Sequence, residues 1–302
     1  MRMSLWQKCT IALLGIAIFG GAAYVARVVF RPEGLAKYRS IPWGKYVHPN
    51  IKKLKKAQTL VSEGKLNDAR AILVNALITA PKSPVTRELR DLLGELNTQI
   101  FFSKEPSLRK TEYTVQRGDA LASIARKLQS SADAIIRVND LKSTLIRPGE
   151  KLLVPELDFT ITIDLPRDRL VVHDSHGFFT QYPIASADLL PERKTKIRTT
   201  VAAKSFWKNG KPVAAHHALQ KDGTPRIALG HRGFVLYGVT EDSDAATTEI
   251  AVDADDQQGT QDSADADRPP HGIAMLKDDL AEIELLIRKG TPVTIILNAN
   301  GP

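Results

Sequence analysis

The chain has 302 residues, of which 43% are hydrophobic, so it is long enough for two or three folded units with ordinary cores. Its 42 Lys and Arg residues outnumber its 34 Asp and Glu residues, which gives a net charge of +8 and favours polyanionic partners. A single cysteine excludes an intrachain disulfide framework.

The first predicted element is an apolar segment at the N-terminus. Residues 10–26 are largely apolar and follow Arg2 and Lys8, which is the layout of a signal peptide or a membrane anchor. We assign residues 1–30 to this element, and the sequence leaves open whether it is cleaved. Residues 31–50 combine proline and glycine with basic residues and are predicted to be a linker.

Residues 51–104 show the spacing of a helical hairpin followed by a third helix. Apolar residues recur at helical spacing on both sides of Gly64, Pro81 ends the second run, and a further helix is expected from Pro84 to Gln99. The segment Val61–Ala71 resembles one tetratricopeptide hairpin. Because a lone repeat buries its face poorly, we interpret this region as a spacer or a dimerising element rather than a peptide-binding groove.

Residues 111–156 carry the strongest signal in the chain. A strand at Tyr113–Val115 and a glycine-containing turn precede two predicted helices, Leu121–Leu128 and Ala132–Asn139. A Pro-Gly turn then leads into a closing strand at Lys151–Val154. This βααβ order, with Tyr-Thr-Val-Gln-Arg-Gly-Asp near its start and Arg-Pro-Gly-Glu-Lys-Leu near its end, resembles the LysM module over its whole length.

The LysM resemblance implies a groove for glycans that contain N-acetylglucosamine, chiefly peptidoglycan. Backbone N–H and C=O groups of two loops would hydrogen-bond the acetamido groups, while small apolar side chains cover the methyl group. The residues implied for the two walls are Gly118, Asp119, Ala120 and Leu121 on one side and Ile146, Arg147, Pro148 and Gly149 on the other. Both glycines also suit turns, and Leu121 and Ile146 also suit a core.

The remaining residues, 158–298, are predicted to be rich in β-strands. Phe159–Leu165 alternates with period two, turns at Pro166–Asp168 and returns through Leu170–Val172. This region resembles the catalytic domain of L,D-transpeptidases. The segments that carry the resemblance are Arg169–Val172, Tyr182–Ser186, Arg226–Gly230, Gly233–Gly238 and Pro269–Ile296, the last of which includes an amphipathic helix and a strand.

The resemblance implies an acyl-transfer site without its reactive groups. Aligned without gaps, the family motif Ser-His-Gly-Cys-Ile-Arg places its histidine on Pro270, its cysteine on Gly272 and its arginine on Ala274. A gapped alignment keeps His271 and Gly272 but deletes the cysteine, and the family motif Ile-His-Gly has Tyr237 at its histidine. Thioester chemistry needs a thiolate. The only cysteine of the chain lies at the N-terminus, so we expect a domain without catalytic residues.

Two alternatives stay open for this domain. Besides a noncatalytic scaffold, the domain could be an active peptidoglycan-modifying enzyme with a different nucleophile or metal. It could also be a pseudoenzyme that binds stem peptides. Candidate substitutes are Ser186, Ser205 and His271, none of which has an adjacent base or zinc-ligand spacing in the sequence. The acidic segment 241–268 lacks the ligand spacing of a calcium loop, and we predict that it is a disordered insertion.

The sequence as a whole predicts a multidomain α+β protein of the cell envelope. It would consist of an N-terminal membrane helix, a tetratricopeptide-like helical hairpin, a βααβ LysM module and a β-rich L,D-transpeptidase-like domain. We expect it to bind peptidoglycan glycan strands, to be held to the membrane by its N-terminal helix, and to act as a tether or to position a cell-wall enzyme. No cofactor, metal or nucleic-acid partner is expected. The outward topology rests on the resemblance, because the positive-inside rule would place the basic stretch after residue 26 in the cytoplasm.

Overall fold

The structure is a computed structural model that describes residues 48–104, 109–189, 195–208, 211–213, 223–240, 269 and 271–298. These residues belong to two compact units, the first ending at Leu96 and the second beginning at Asn97. The predicted anchor at 1–30, nearly all of the linker and the acidic segment 241–268 lie outside the described residues. Across the described ranges, none of the helices has the length and apolar character needed to cross a membrane.

The first unit is helical. Helix α1 (Pro49–Ser62) and helix α2 (Leu66–Thr79) pack as a hairpin, and helix α3 (Thr86–Phe102) begins in this unit and ends in the second. Each of the first two helices buries small and branched apolar residues at helical spacing. The buried amide of Asn50 donates to the carbonyl oxygens of Ala76 (3.1 Å) and Ala80 (3.3 Å), which ties the start of α1 to the end of α2. The predicted helical hairpin and third helix are confirmed.

The second unit contains the predicted βααβ segment. Strand β1 (Lys110–Thr114), helix α4 (Leu121–Lys127), helix α5 (Ala132–Asn139) and strand β2 (Lys151–Pro155) follow one another in the predicted order. The two strands pair antiparallel, from Lys110 opposite Pro155 to Thr114 opposite Lys151. Apolar residues of both helices and both strand flanks form one small core between the helices and the sheet. The first strand begins three residues earlier than its apolar residues predict, because Lys110 and Thr111 join the ladder with exposed or half-buried side chains.

A larger sheet and one helix complete the second unit. Its elements are β3 (Thr160–Asp164), a short 3-10 helix (Leu165–Arg167), β4 (Arg169–Asp174), β5 (Gly177–Pro183), β6 (Ser186–Asp188), β7 (Lys196–Lys208), β8 (Lys211–Val213), β9 (Thr224–Leu229), β10 (Val235–Val239), β11 (Gly272–Leu276), α6 (Lys277–Leu286) and β12 (Pro292–Ile296). Among the described residues the strand order is β5-β4-β3-β12-β7-β9-β10-β11-β6, and β8 pairs with β7. The pairs β3 with β12 and β10 with β11 are parallel.

Strand β7 joins the two halves of this sheet. Its first part pairs with β12, and after an irregularity between Val201 and Ala203 its second part pairs with β9. Side chains from both halves meet in one core that also takes Leu280 and Ile283 from α6. Because this core is shared, the strands that carry the candidate site in one half are held in place by the packing of the other half.

The βααβ segment and the larger sheet are fastened together by polar and apolar contacts. The guanidinium of Arg109 forms an ion pair with Asp174 at 2.9 Å and lies 4.5 Å from the ring centroid of Phe159. The side chain of Arg288 donates to the amide oxygen of Gln129 at 3.1 Å. Ala134 of helix α5 is fully buried in the core of the larger sheet. The βααβ segment therefore packs against the larger sheet as part of the second unit and is not a separate domain joined by a linker.

Candidate functional site

The loop after β1, which provides the first predicted wall of the glycan groove, is built around Asp119. Its carboxylate accepts hydrogen bonds from the hydroxyl of Tyr113 and the backbone N–H of Gln116, both at 2.8 Å. The bond from the Gln116 backbone, and then the one from Tyr113, hold the pKa of Asp119 below its ordinary value. Gly118 precedes it with a φ of 90°, a conformation that favours glycine. Asp119 therefore shapes the loop, and Gly118 is an exposed residue of this predicted wall.

The other two residues of this wall begin helix α4. The backbone N–H of Ala120 donates to the hydroxyl of Ser123 at 3.0 Å, which stabilises the first turn of the helix. The methyl group of Ala120 is exposed, whereas Leu121 is only 5% exposed and belongs to the small core. The structural interpretation of Leu121 thus fits the structure, and Ala120 is the accessible apolar group of this wall.

The loop before β2, which provides the second wall, is tied directly to the first. The backbone N–H of Gly149 donates to the carbonyl of Val115 at 2.9 Å, and the N–H of Val115 donates to the carbonyl of Glu150 at 2.8 Å. The carboxylate of Glu150 accepts from the backbone N–H of Arg147 at 3.0 Å. Ile146 is half-buried against the small core. The structure therefore brings the two predicted walls together as neighbours and fixes the second loop through its own backbone.

The second wall also contains an exposed leucine that the sequence pattern did not assign to the groove. Leu145 is 78% exposed, and it lies in the same loop as the predicted wall residue Pro148, which is exposed as well. The N–H of Leu145 donates to the hydroxyl of Ser143 at 3.1 Å, so the backbone under the leucine is held. In the sequence its alternation with polar residues resembles ordinary packing, and only the folded loop distinguishes it from the half-buried Ile146 that follows.

In the larger sheet, Tyr237 and Gly272 lie in contact. Strands β10 and β11 run parallel, with Tyr237 opposite Ala274 and Val235 opposite Gly272. A Cβ atom added to Gly272 would lie 2.9 Å from two ring carbons of Tyr237 and 2.8 Å from the carbonyl oxygen of Val235. The Tyr237 side chain is 5% exposed. The ring thus fills the space that a side chain at position 272 would need, while Pro270 lies outside the described residues.

The two candidate serines, Ser186 and Ser205, lie on the same face of the sheet as Tyr237, but no histidine in their row could act as their base. Backbone pairing places Ser205 opposite Arg226, Arg226 opposite Tyr237, and Ala274 opposite Ser186, so one row crosses five strands on one face. The hydroxyl of Ser205 accepts from the indole N–H of Trp207 at 3.0 Å. This contact gives Ser205 a structural partner, and the row brings no histidine opposite either serine.

His271 immediately precedes β11 and lies three residues before Ala274, the β11 residue of that row. Alternation along the strand places positions 272 and 274 on the face of Tyr237 and position 271 toward the other face. Its Nδ1 atom is buried and has no hydrogen-bond partner among the described residues. No set of three His, Cys, Asp or Glu side chains within the described ranges could hold a metal ion.

A buried ion pair lies beside this sheet and has a structural explanation. The ammonium of Lys204 on β7 pairs with the carboxylate of Glu284 and donates to the carbonyl oxygens of Glu284 (3.0 Å) and Ile287 (3.2 Å). Burial raises the pKa of Glu284, and the charge of Lys204 opposes that rise. Because the lysine caps the last carbonyls of α6, the pair stabilises the helix end rather than forming a reaction centre.

Comparisons with solved structures return L,D-transpeptidases. L,D-transpeptidase 1 of Mycobacterium tuberculosis is 11% identical, with 48% of this chain and 72% of that chain covered at a TM-score of 0.25. A cysteine-to-serine mutant of the Enterococcus faecium L,D-transpeptidase is 12% identical, with coverage of 68% and 83% and a TM-score of 0.27. The Ldtfm-avibactam carbamoyl enzyme is 13% identical, with coverage of 68% and 81% and a TM-score of 0.25.

Superpositions at these scores do not assign the fold of the larger sheet. No curated protein matches the chain. Residues 113–155 match the model of the LysM domain family, which covers both predicted walls of the groove, helices α4 and α5, strand β2 and the end of strand β1. The second unit of this chain therefore contains a LysM domain.

Proposed function

We propose that this chain is a peptidoglycan-binding protein of the cell envelope, with a noncatalytic L,D-transpeptidase-like domain that serves as a scaffold or tether. The observation that carries the proposal is the LysM domain at residues 113–155, whose two loops lie next to each other. Its ligand would be a glycan strand that contains N-acetylglucosamine. An envelope location follows from that ligand, and anchoring through residues 1–30 is part of the proposal.

The chemistry of the two loops suits an uncharged sugar. The predicted groove residues that are exposed are Gly118 and Ala120 on one side and Arg147, Pro148 and Gly149 on the other, and the exposed Leu145 adjoins them. They offer backbone polar groups, small apolar side chains and one guanidinium, and the only carboxylates of the loops, on Asp119 and Glu150, are engaged by backbone N–H groups. Such a shallow and mainly apolar cleft binds acetamido groups through backbone hydrogen bonds and covers their methyl groups.

The lack of a cysteine in the larger sheet supports a binding role for that domain. Acyl transfer through a thioester requires a cysteine thiolate beside a base. The position aligned with the family cysteine is Gly272, and the tyrosine at the family histidine position occupies the space next to it. Ser205, one of the two hydroxyl alternatives on this face, is engaged by Trp207. A scaffold needs none of these groups to react.

The test is a pulldown of the full chain with purified insoluble peptidoglycan, followed by mass spectrometry of the muropeptides. We expect the chain to sediment with peptidoglycan, the muropeptide profile to stay unchanged, and the double variant Leu145→Asn with Pro148→Ala to sediment much less. Ile78→Asn is the matched control, because Ile78 is similarly exposed at 74% but lies on helix α2. Equal sedimentation of all three proteins would refute glycan binding at this groove. New crosslinks or trimmed stems would refute the noncatalytic assignment.

A further inference from the structure

Helix α1 has an unusual distribution of charge. Four of its residues between positions 52 and 56 are lysines, at the N-terminal end of the helix, and there is no acidic residue in the first turn and no basic residue in the last. The helix macrodipole favours the opposite arrangement, because its positive end is at the N-terminus. The lysines therefore oppose the helix dipole, and helix stability does not account for their position.

Three of these lysines form one exposed face. Lys52, Lys55 and Lys56 are exposed and are spaced by three and four residues, so they lie within an arc of about 100° at 3.6 residues per turn. We call these three residues the basic face. The buried side of the helix, with Leu54 and Ala57, lies opposite. The face is therefore turned away from the helical core.

The fourth lysine of α1, Lys53, differs from the basic face because it has a structural role. Lys53 points toward helix α2, where its ammonium donates to the side-chain oxygens of Asn75 at 2.8 Å and Thr79 at 3.1 Å. The ammonium groups of the basic face have no hydrogen-bond or ion-pair partner among the described residues. Like charges at these spacings repel one another. An external anion would relieve this repulsion.

The sequence next to α1 continues the same chemistry toward the apolar N-terminal segment. Between Glu33 and Glu63 the chain has no acidic residue. Lys37, Arg39 and Lys45 alternate there with the aromatic residues Tyr38, Trp43 and Tyr46. Basic and amphipathic aromatic side chains together are typical of a membrane interface. If residues 10–26 lie in a bilayer, as the proposed function has it, the connection of residues 27–48 spans at most roughly 75 Å, so α1 would stay within reach of that bilayer.

We propose that the basic face of α1 binds the anionic phospholipid headgroups of the membrane. The helical unit would then lie against the bilayer surface, and each lysine would strengthen that contact about five-fold at moderate ionic strength. The proposal is independent of the glycan groove, which lies in the other unit. It also gives a role to the basic residues that follow the apolar segment and that oppose an outward topology by simple charge counting.

The test uses the full chain reconstituted into vesicles, with one fluorophore at Ser62→Cys in a Cys9→Ser background and an acceptor on the lipid headgroups. Ser62 is exposed near the end of α1. Energy transfer is compared in vesicles of phosphatidylcholine alone and in vesicles that also contain phosphatidylglycerol. The basic-face variant carries Lys52→Gln, Lys55→Gln and Lys56→Gln. The control variant carries Lys65→Gln, Lys82→Gln and Arg87→Gln, which removes the same charge from exposed positions outside α1.

We expect higher energy transfer in the anionic vesicles, a return to the neutral-vesicle value in the basic-face variant and at high salt, and no such loss in the control variant. Three outcomes would overturn the proposal. They are equal transfer in both kinds of vesicle, an equal loss in both variants, and lysine-dependent binding to a soluble anionic polymer without any preference for anionic vesicles.

Discussion

The contact between Tyr237 and Gly272 makes a quantitative prediction about stability. The variant Gly272→Ala places a methyl carbon 2.8 Å from the carbonyl oxygen of Val235 and 2.9 Å from the Tyr237 ring, both well inside van der Waals contact. Overpacking of this kind costs about 1–3 kcal/mol. For a folded unit of this size we expect the melting temperature to fall by roughly 2–12 °C, since each kcal/mol corresponds to about 2–4 °C.

The matched control is Gly230→Ala. A Cβ atom at Gly230 would meet only the hydroxyl of Thr199 at 3.2 Å as its nearest neighbour, so a small side-chain shift accommodates it. Calorimetry and urea unfolding of both variants measure the difference. A double-mutant cycle with Tyr237→Ala then separates the ring from the backbone clash, and we expect a coupling of about 0.5–1.5 kcal/mol. A loss at Gly272→Ala no larger than at Gly230→Ala, or zero coupling, would refute the idea that the ring fills this space.

Three further predictions concern charged groups of the second unit. Arg109→Ala leaves Asp174, 8% exposed, without its cation and should destabilise the unit by about 3–5 kcal/mol in urea unfolding. The pKa of Asp119 is lowered, so the carboxylate stabilises the folded state above the unfolded-state pKa of about 3.9, and this stabilisation is lost as the pH falls through the folded-state pKa. Unfolding followed by circular dichroism should therefore show Asp119→Asn to be less stable than the parent at pH 7 and equally stable in strong acid. The pKa of Glu284 is raised, so this group favours the folded state below its unfolded-state pKa, and that contribution is lost as the pH rises through the folded-state pKa. Because Lys204 opposes the rise, the variant Lys204→Met should lose more stability at pH 8 than at pH 5 in the same assay.

The turns of the LysM domain were predictable because they depend on local chemistry. Gly118 and Gly149 both have positive φ values, at 90° and 88°, and both follow residues that cannot easily adopt them. The exposure of Leu145 was not predictable, because an apolar residue in a short loop has no periodicity that separates a packed side chain from a projecting one. The positions of the two turns could thus be predicted from the sequence, whereas the exposure of Leu145 could not.

The pairing of strand β7 and the contact of Tyr237 with Gly272 could not be predicted from the sequence for a different reason. The two parts of β7 pair with different strands, so their burial follows no single alternation over Lys196–Lys208. Tyr237 and Gly272 are brought together by parallel pairing of strands that are separated by the long acidic segment. Pairing of this kind depends on the whole sheet and leaves no local pattern. The alignment with the family motif found both positions, but it did not reveal that one side chain fills the place of the other.

Gly238, next to Tyr237, is required by packing. A Cβ atom at Gly238 would lie 2.7 Å from the Thr224 methyl carbon and 2.9 Å from Cγ of Lys277, so glycine lets α6 begin close to the strand. Under the resemblance stated from the sequence, Gly238 aligns with the glycine of the Ile-His-Gly motif and Tyr237 with its histidine. The proposed scaffold needs Gly238 only for this close packing and Tyr237 only to fill the space beside Gly272. The ion pair of Arg109 with Asp174 ties the residue before β1 to strand β4, so the proposed glycan groove would keep a fixed orientation relative to the larger sheet.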